Sequence, residues 1–148
     1  MININTYSEQ NIPSEKIQTE IVDFLFESLE QYGDPKSDIQ KCLDYALAKN
    51  NKPGGNLIIA ENSETQKIAG AVIVNKTGME KYIPENILVY IATDKNLRGQ
   101  GVGKSLMEKA ISESEGDIAL HCEPENPAKY LYEKLGFTSK YLDMRLKK

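Results

Sequence analysis

The sequence predicts one mixed α/β domain, a mostly antiparallel sheet with one parallel strand pair and helices on both faces. Three observations lead there. Residues 87–93 form a β-branched and aromatic run that reads as a buried strand. Two amphipathic helical stripes precede the strand-rich middle of the chain, and two follow it. A strand, a helix and another strand after an antiparallel meander require one parallel pair. At 148 residues, with 40% hydrophobic and 27% charged side chains, the chain suits a single globular domain, 1–148, with a real core.

Taken in order, Ile2 and Ile4 alternate with asparagines and suggest a short first strand. Ser14, between Pro13 and Glu15, is the expected N-cap of a helix whose apolar face is Ile17, Ile21, Phe24, Leu25 and Leu29, stopped by Gly33. Residues 37–40 read as a capping box for a second helix carrying Ile39, Cys42, Leu43, Ala46 and Leu47. Turn chemistry at 52–56 introduces strands at 57–60 and 67–74, an antiparallel hairpin across a polar link. A longer polar loop, 75–85, has the length of a binding loop and leads into the central strand. Val102, Leu106, Met107, Ala110 and Ile111 face one side of the next helix, Gly116 closes it, and 118–122 read as a further strand. Asn126 as N-cap, Pro127 at the first helical position and Gly136 as the stop bound a last helix with Ala128, Leu131, Tyr132 and Leu135 on one face.

The net charge of −4 argues against a general nucleic-acid binder and mildly favours cationic small substrates. A single histidine, His121, and no C-x-x-C pair leave no metal-ligand spacing. The first residues have neither a basic nor an apolar leader region, and no apolar run reaches membrane-span length. Cys42 and Cys122 fall on different elements, as packed thiols of a reduced cytoplasmic protein would. The expectation is a cytoplasmic chain without nucleic-acid or membrane partners, with a homodimer left open.

The chemistry concentrates where the central strand ends. Gly99, Gly101 and Gly103 allow positive φ and remove Cβ atoms, so free N–H groups and a helix N-terminus can converge on an anion. Arg98 and Lys104 flank them with positive charge. Gly103-Lys104-Ser105 mimics the tail of a nucleotide-binding P-loop, G-x-x-x-x-G-K-[ST]. Counting back five from Gly103 lands on Arg98, and residues 94–97 separate the strand from the turn, so that reading fails on spacing. The other frame is Arg98-Gly99-Gln100-Gly101-Val102-Gly103, an [RQ]-x-x-G-x-[GA] pattern.

That frame resembles the acyl-CoA pyrophosphate loop of the GNAT-type N-acetyltransferase superfamily. The stretch 125–137 is similar to the GNAT pattern N-x-x-A-x-x-L-Y-x-K-x-G-F, with Asn126 six residues before Tyr132, the shorter spacing of the Pro-containing variant. The resemblance implies the order βααβββαβαββ, a sheet of six to seven strands, and acetyl-CoA as co-substrate. It implies that backbone groups of Ile91 and Thr93 take the pantetheine arm. The pyrophosphate would rest on Arg98, Gly99, Gln100, Gly101, Val102, Gly103 and Lys104, and Asn126 would contact the cofactor arm. The Tyr132 hydroxyl would face the thioester sulfur and donate a proton to the departing thiolate. The implied reaction is direct acetyl transfer to a primary amine, on a small molecule or a peptide. The alternative is a non-catalytic acyl-CoA-binding or regulatory domain. No base is assigned: Glu80, Glu85, Glu123 and His121 border the expected crevice only by segment, and water serves equally well.

Overall fold

A computed structural model describes residues 1–148. Its elements, in chain order, are β1 (Ile2–Tyr7), α1 (Glu15–Leu29), α2 (Lys36–Ala46), β2 (Gly55–Asn62), β3 (Ile68–Lys76), β4 (Asn86–Thr93), α3 (Val102–Glu113), β5 (Ile118–Leu120) and α4 (Lys129–Lys134). The strands form one sheet in sequential order, antiparallel from β1 to β4 and parallel between β4 and β5. No helix is long and apolar enough to cross a membrane.

Strand alternation sorts the core into two layers. Leu57, Ile59, Ala71, Ile73 and Tyr90 face α1 and α2, where they meet Ile21, Leu25, Ile39 and Leu43. Ile58, Val72, Val74 and Leu88 face α3 and α4, where they meet Leu106, Met107 and Tyr132. Each fully buried aliphatic side chain contributes about 1.5–3 kcal/mol relative to exposure, which fixes the register of β2 and β3 against slippage.

The helix starts divide by capping chemistry. Ser14 Oγ accepts the N–H of Ile17 at 3.3 Å, as expected of an N-cap. The second helix corrects the capping-box expectation. It begins at Lys36 after Pro35, whose carbonyl takes the N–H groups of Asp38 and Ile39, so Ser37 lies inside the first turn.

The sheet has five strands, not six to seven. Residues 138–148 form no element and make no backbone hydrogen bond, and Tyr141, Leu142, Met144 and Leu146 are 80–88% exposed. The cause lies in β5. It pairs with β4 over only three residues and ends at Leu120, two residues short of the expected strand, so its outer edge is too short to hold another strand.

Candidate active site

The centre of the site is a defect in β4. Leu88 pairs with Val74 and Tyr90 with Ile73, which leaves Val89 without a partner, a β-bulge. The extra residue turns the following strand over. Leu88 faces α3, whereas Tyr90, two positions on, faces α1 and α2. Backbone direction flips with it. Asp94 donates its N–H to Ala69 at 2.8 Å, in register with the pairs Ala92–Ala71 and Tyr90–Ile73. In an antiparallel ladder hydrogen-bonded and non-bonded pairs alternate, so Ile91 and Thr93 point their N–H and C=O groups away from β3. On that side nothing pairs with them, because the β4–β5 ladder stops at Leu88 and Leu120. The two parallel strands are thus joined at their N-terminal ends and separate beyond the bulge.

The glycine turn stands at the mouth of this gap. Asp94 caps a single 3₁₀ turn by accepting the N–H of Asn96 at 2.9 Å. Gly99 and Gly101 follow with φ of +83° and +82°, the left-handed region that disfavours any side chain. A Cβ placed on either would meet no atom within 4 Å, so both face open space. Gly101 occupies the N-cap of α3, and its carbonyl takes the N–H of Ser105 at 3.0 Å. Among Arg98, Gly99, Gln100, Gly101, Val102, Gly103 and Lys104, only Gln100 has a bonded N–H, to the Leu97 carbonyl at 3.3 Å. The others are unpaired donors at the positive end of a helix. The Arg98 and Lys104 side chains are exposed and form no salt bridge. Val102 turns its side chain into the core, so only its N–H is available.

Gly103 is where the two sequence motifs meet. A Cβ there would lie 3.6 Å from both Leu131 Cδ2 of α4 and Thr93 Cγ2 of β4. The absent side chain lets the start of α3 settle between the end of the central strand and the last helix. Asn126 precedes that helix but is not its N-cap, a position taken by Ala128. The Asn126 Oδ1 accepts the N–H of Ala128 at 3.0 Å, while its Nδ2 bonds nothing in the protein. The regular helix begins later than the sequence suggests, at Lys129, after bonds of the tighter 3₁₀ type from Lys129 to Asn126 and from Tyr130 to Pro127.

Tyr132 is held at its far end. Phe137 donates its N–H to the Tyr132 carbonyl at 3.0 Å, and Gly136, with φ of +101°, donates to Glu133 at 3.1 Å. This pair of bonds is a Schellman motif, and the hydrophobic contact that accompanies it is Phe137 edge-on to the Tyr132 ring at 6.1 Å. The Tyr132 side chain is only 8% exposed, yet its hydroxyl makes no hydrogen bond and is not sealed from solvent. Burial, with a smaller contribution from Cys122, pushes its pKa up to about 12, so the group stays protonated across the neutral range.

Of the four candidate bases, Glu80 and Glu85 lie away from the gap, His121 is paired, and Glu123 is exposed beyond β5. Glu85 precedes β4, at the opposite end of the strands from the gap, and its carboxylate takes the N–H groups of Lys81 (2.8 Å) and Asp117 (2.7 Å). Those bonds hold its pKa below the usual carboxylate value. Glu80 lies in the same loop, before β4. His121 is exposed and pairs with Asp143 at 3.3 Å, and Glu123 is an exposed residue beyond β5. The bulge at Val89 has no signature in sequence, since both Leu88 and Tyr90 belong to an unbroken apolar run that suits either register.

The family pattern described as acetyltransferase (GNAT) domain matches residues 53–139, a span that takes in the meander, the glycine turn, Asn126 and Tyr132. No curated protein matches the chain. Among solved structures, a transcriptional regulator from Bacillus halodurans C-125 is similar over 99% of this chain and 99% of that one, at 20% identity and a TM-score of 0.70. PH1933 from Pyrococcus horikoshii OT3 is similar over 97% and 93%, at 22% identity and a TM-score of 0.68. A histone acetyltransferase HPA2 and related acetyltransferase from Corynebacterium glutamicum ATCC 13032 is similar over 96% and 89%, at 20% identity and a TM-score of 0.65. These likenesses are of fold, across sequences that have diverged widely. The match over more than half of the chain, on top of a split sheet and a glycine turn of unpaired amides, makes this protein a member of the GNAT acetyltransferase family.

Proposed function

We propose that the chain transfers an acetyl group from acetyl-CoA to a primary amine on a small molecule or peptide, by direct attack of the amine on the thioester. The observation that carries this reading is the set of unpaired main-chain donors gathered at the gap: Arg98, Gly99, Gly101, Val102, Gly103 and Lys104, with no acceptor of their own. Their number and direction suit a pyrophosphate, and the space over Gly99 and Gly101 is what a phosphate needs. Gln100 would contribute no amide, since it already serves Leu97.

In this reading the extended, amide-bearing pantetheine arm enters the gap as an added strand and pairs with the outward N–H and C=O groups of Ile91 and Thr93. Asn126 offers its free Nδ2 to the same arm. The amine must be neutral and close to the thioester carbon, where backbone N–H groups stabilise the oxyanion. The C–N bond forms, the C–S bond breaks, and Tyr132 gives its proton to the thiolate; the proton lost from nitrogen leaves through solvent and the phenol is restored. A tyrosine with a raised pKa and no internal partner suits that role, since it is a donor at every working pH. The two free thiols, Cys42 and Cys122, fit a cytoplasmic setting.

Calorimetric titration with acetyl-CoA and CoA, followed by a thiol-release screen over a panel of amines, tests the reading. Saturable binding with thiol release for at least one amine class is the expected result. Binding without release for any acceptor would assign the chain to non-catalytic acyl-CoA binding. Indifference to both CoA forms would remove the chemistry altogether.

A further inference from the structure

Tyr90 and Asp34 lie outside the set of residues assigned to acetyl-CoA. Tyr90 follows the bulged Val89, and its side chain crosses to the α1 and α2 side, where its hydroxyl donates to Asp34 Oδ2 at 2.5 Å. Asp34 lies exposed in the loop before α2, and its Oδ1 has no partner in the protein. The nearest lysine in sequence, Lys36, is committed elsewhere, paired with Asp23 at 3.0 Å and lying over the Phe26 ring. Burial and the bond to Asp34 hold the Tyr90 hydroxyl well above its ordinary pKa, so it remains the donor in this pair. The other groups that Tyr90 senses are Asp38 and Cys42 of α2.

The opposite wall of the gap begins at His121, the first residue after β5. Its Nδ1 lies 3.4 Å from Arg145 Nη2, and Arg145 is itself forked onto Asp143 at 2.9–3.3 Å. Asp34 is a carboxylate held on the α1 and α2 side of the sheet by Tyr90, the first paired residue of β4 beyond the bulge. Tyr132 belongs to the other side, among the residues that face α3. A nucleophile cannot approach the thioester carbon along the path by which the sulfur leaves. With the proton donor for sulfur on the α3 side, the α1 side is the entry left for the acceptor.

We propose that Asp34, oriented by the hydroxyl of Tyr90, receives the protonated primary amine of the acceptor at this mouth of the gap. The inference rests on the acetyl-transfer reading and names how that site selects its substrate. The ammonium donates to Oδ1, its nitrogen gives up one proton to water, and the neutral nitrogen attacks as above. Asp34 is an acceptor-binding residue and Tyr90 a positioning residue.

Asp34→Asn removes the charge and keeps the shape. It is expected to raise KM for the amine on the order of ten- to a hundredfold, the effect of losing a hydrogen bond to a charged group, with kcat changed less. The calorimetric Kd for acetyl-CoA should not move. Asp34→Glu should recover part of the loss, and Tyr90→Phe should raise amine KM by a smaller factor. In the unmodified chain, trimethylammonium, a protonated amine that forms no stable amide, should compete with the acceptor and not with acetyl-CoA. A folded Asp34→Asn with unchanged amine KM, or absence of that competition, overturns the assignment of Asp34 while acetyl-CoA binding and thiol release stand. An unmodified chain that neither binds acetyl-CoA nor releases thiol overturns both readings.

Discussion

The two ends of the β4–β5 pair are built on opposite principles. At the N-terminal end the donors of Asn86 and the carboxylate of Glu85 are tied. Asn86 donates its N–H to Asp117 at 3.0 Å and its side-chain Nδ2 to the carbonyls of Glu115 (2.7 Å) and Asp117 (3.2 Å). Glu85 closes the same corner through Lys81 and Asp117. At the C-terminal end the bulge ends pairing, and main-chain groups of Ile91, Thr93 and the glycine turn are left without partners, together with the Tyr132 hydroxyl. Polar groups that satisfy one another stabilise; groups aimed at a common space with nothing to bond are set for a ligand. The closed end holds the strands in register so that the open end can stay apart.

The comparison breaks most visibly at Gly101. Gly101→Val places a branched side chain at φ of +82°, in the space over the unpaired amides, and is expected to abolish acetyl-CoA binding by calorimetry. Retained affinity would mean that the phosphates rest elsewhere. Next in size, Tyr132→Phe removes the donor without emptying the core. Turnover should fall roughly 10²-fold with acetyl-CoA affinity nearly unchanged, and an unaltered kcat would take Tyr132 out of the mechanism.

At the closed end the expected effects are on stability alone. Asn86→Ala leaves the carbonyls of Glu115 and Asp117 short of a donor and should cost about 1–3 kcal/mol in denaturant unfolding. It should not touch the acetyl-CoA Kd; a change there would show that the two ends are coupled. The smallest effect belongs to Glu85. Its pKa is lowered in the folded state by backbone N–H bonds, so its contribution is present above the ordinary carboxylate value and lost as pH falls through the depressed one. Glu85→Gln should flatten that part of the acid dependence of Tm, measured against the parent chain. Tyr132 sharpens the contrast from the alkaline side. Its folded pKa is raised, so its share of stability is intact below about pH 10 and is lost as pH rises through about 12. A difference absorbance titration of the parent against Tyr132→Phe should place its tyrosinate signal in that upper range.

How much of this could be read in advance depends on the range of the interaction involved. Ser14, the glycine turn and the Gly136 stop are local features, decided by residues within a few positions of one another, and they form where the sequence indicates; the last helix starts later than its Asn126 and Pro127 suggest, after a tighter turn. The last strands do not form, because strand formation needs an edge, and β5 ends at Leu120, although Leu142, Met144 and Leu146 alternate as a strand would. The pairing of Ser37 with a capping role failed for a local reason, since Pro35 already supplies the carbonyl that starts α2.

By itself the sequence determined the two motifs, their spacing, and the helices that carry them, because backbone torsions and capping are set by near neighbours. Tertiary structure alone decided that Val89 bulges, that β4 and β5 part beyond Leu88, and that Tyr90 meets Asp34 across 56 positions of chain. Those outcomes depend on which face of a strand meets which helix. An apolar run with buried residues on both faces leaves that choice open until the layers pack.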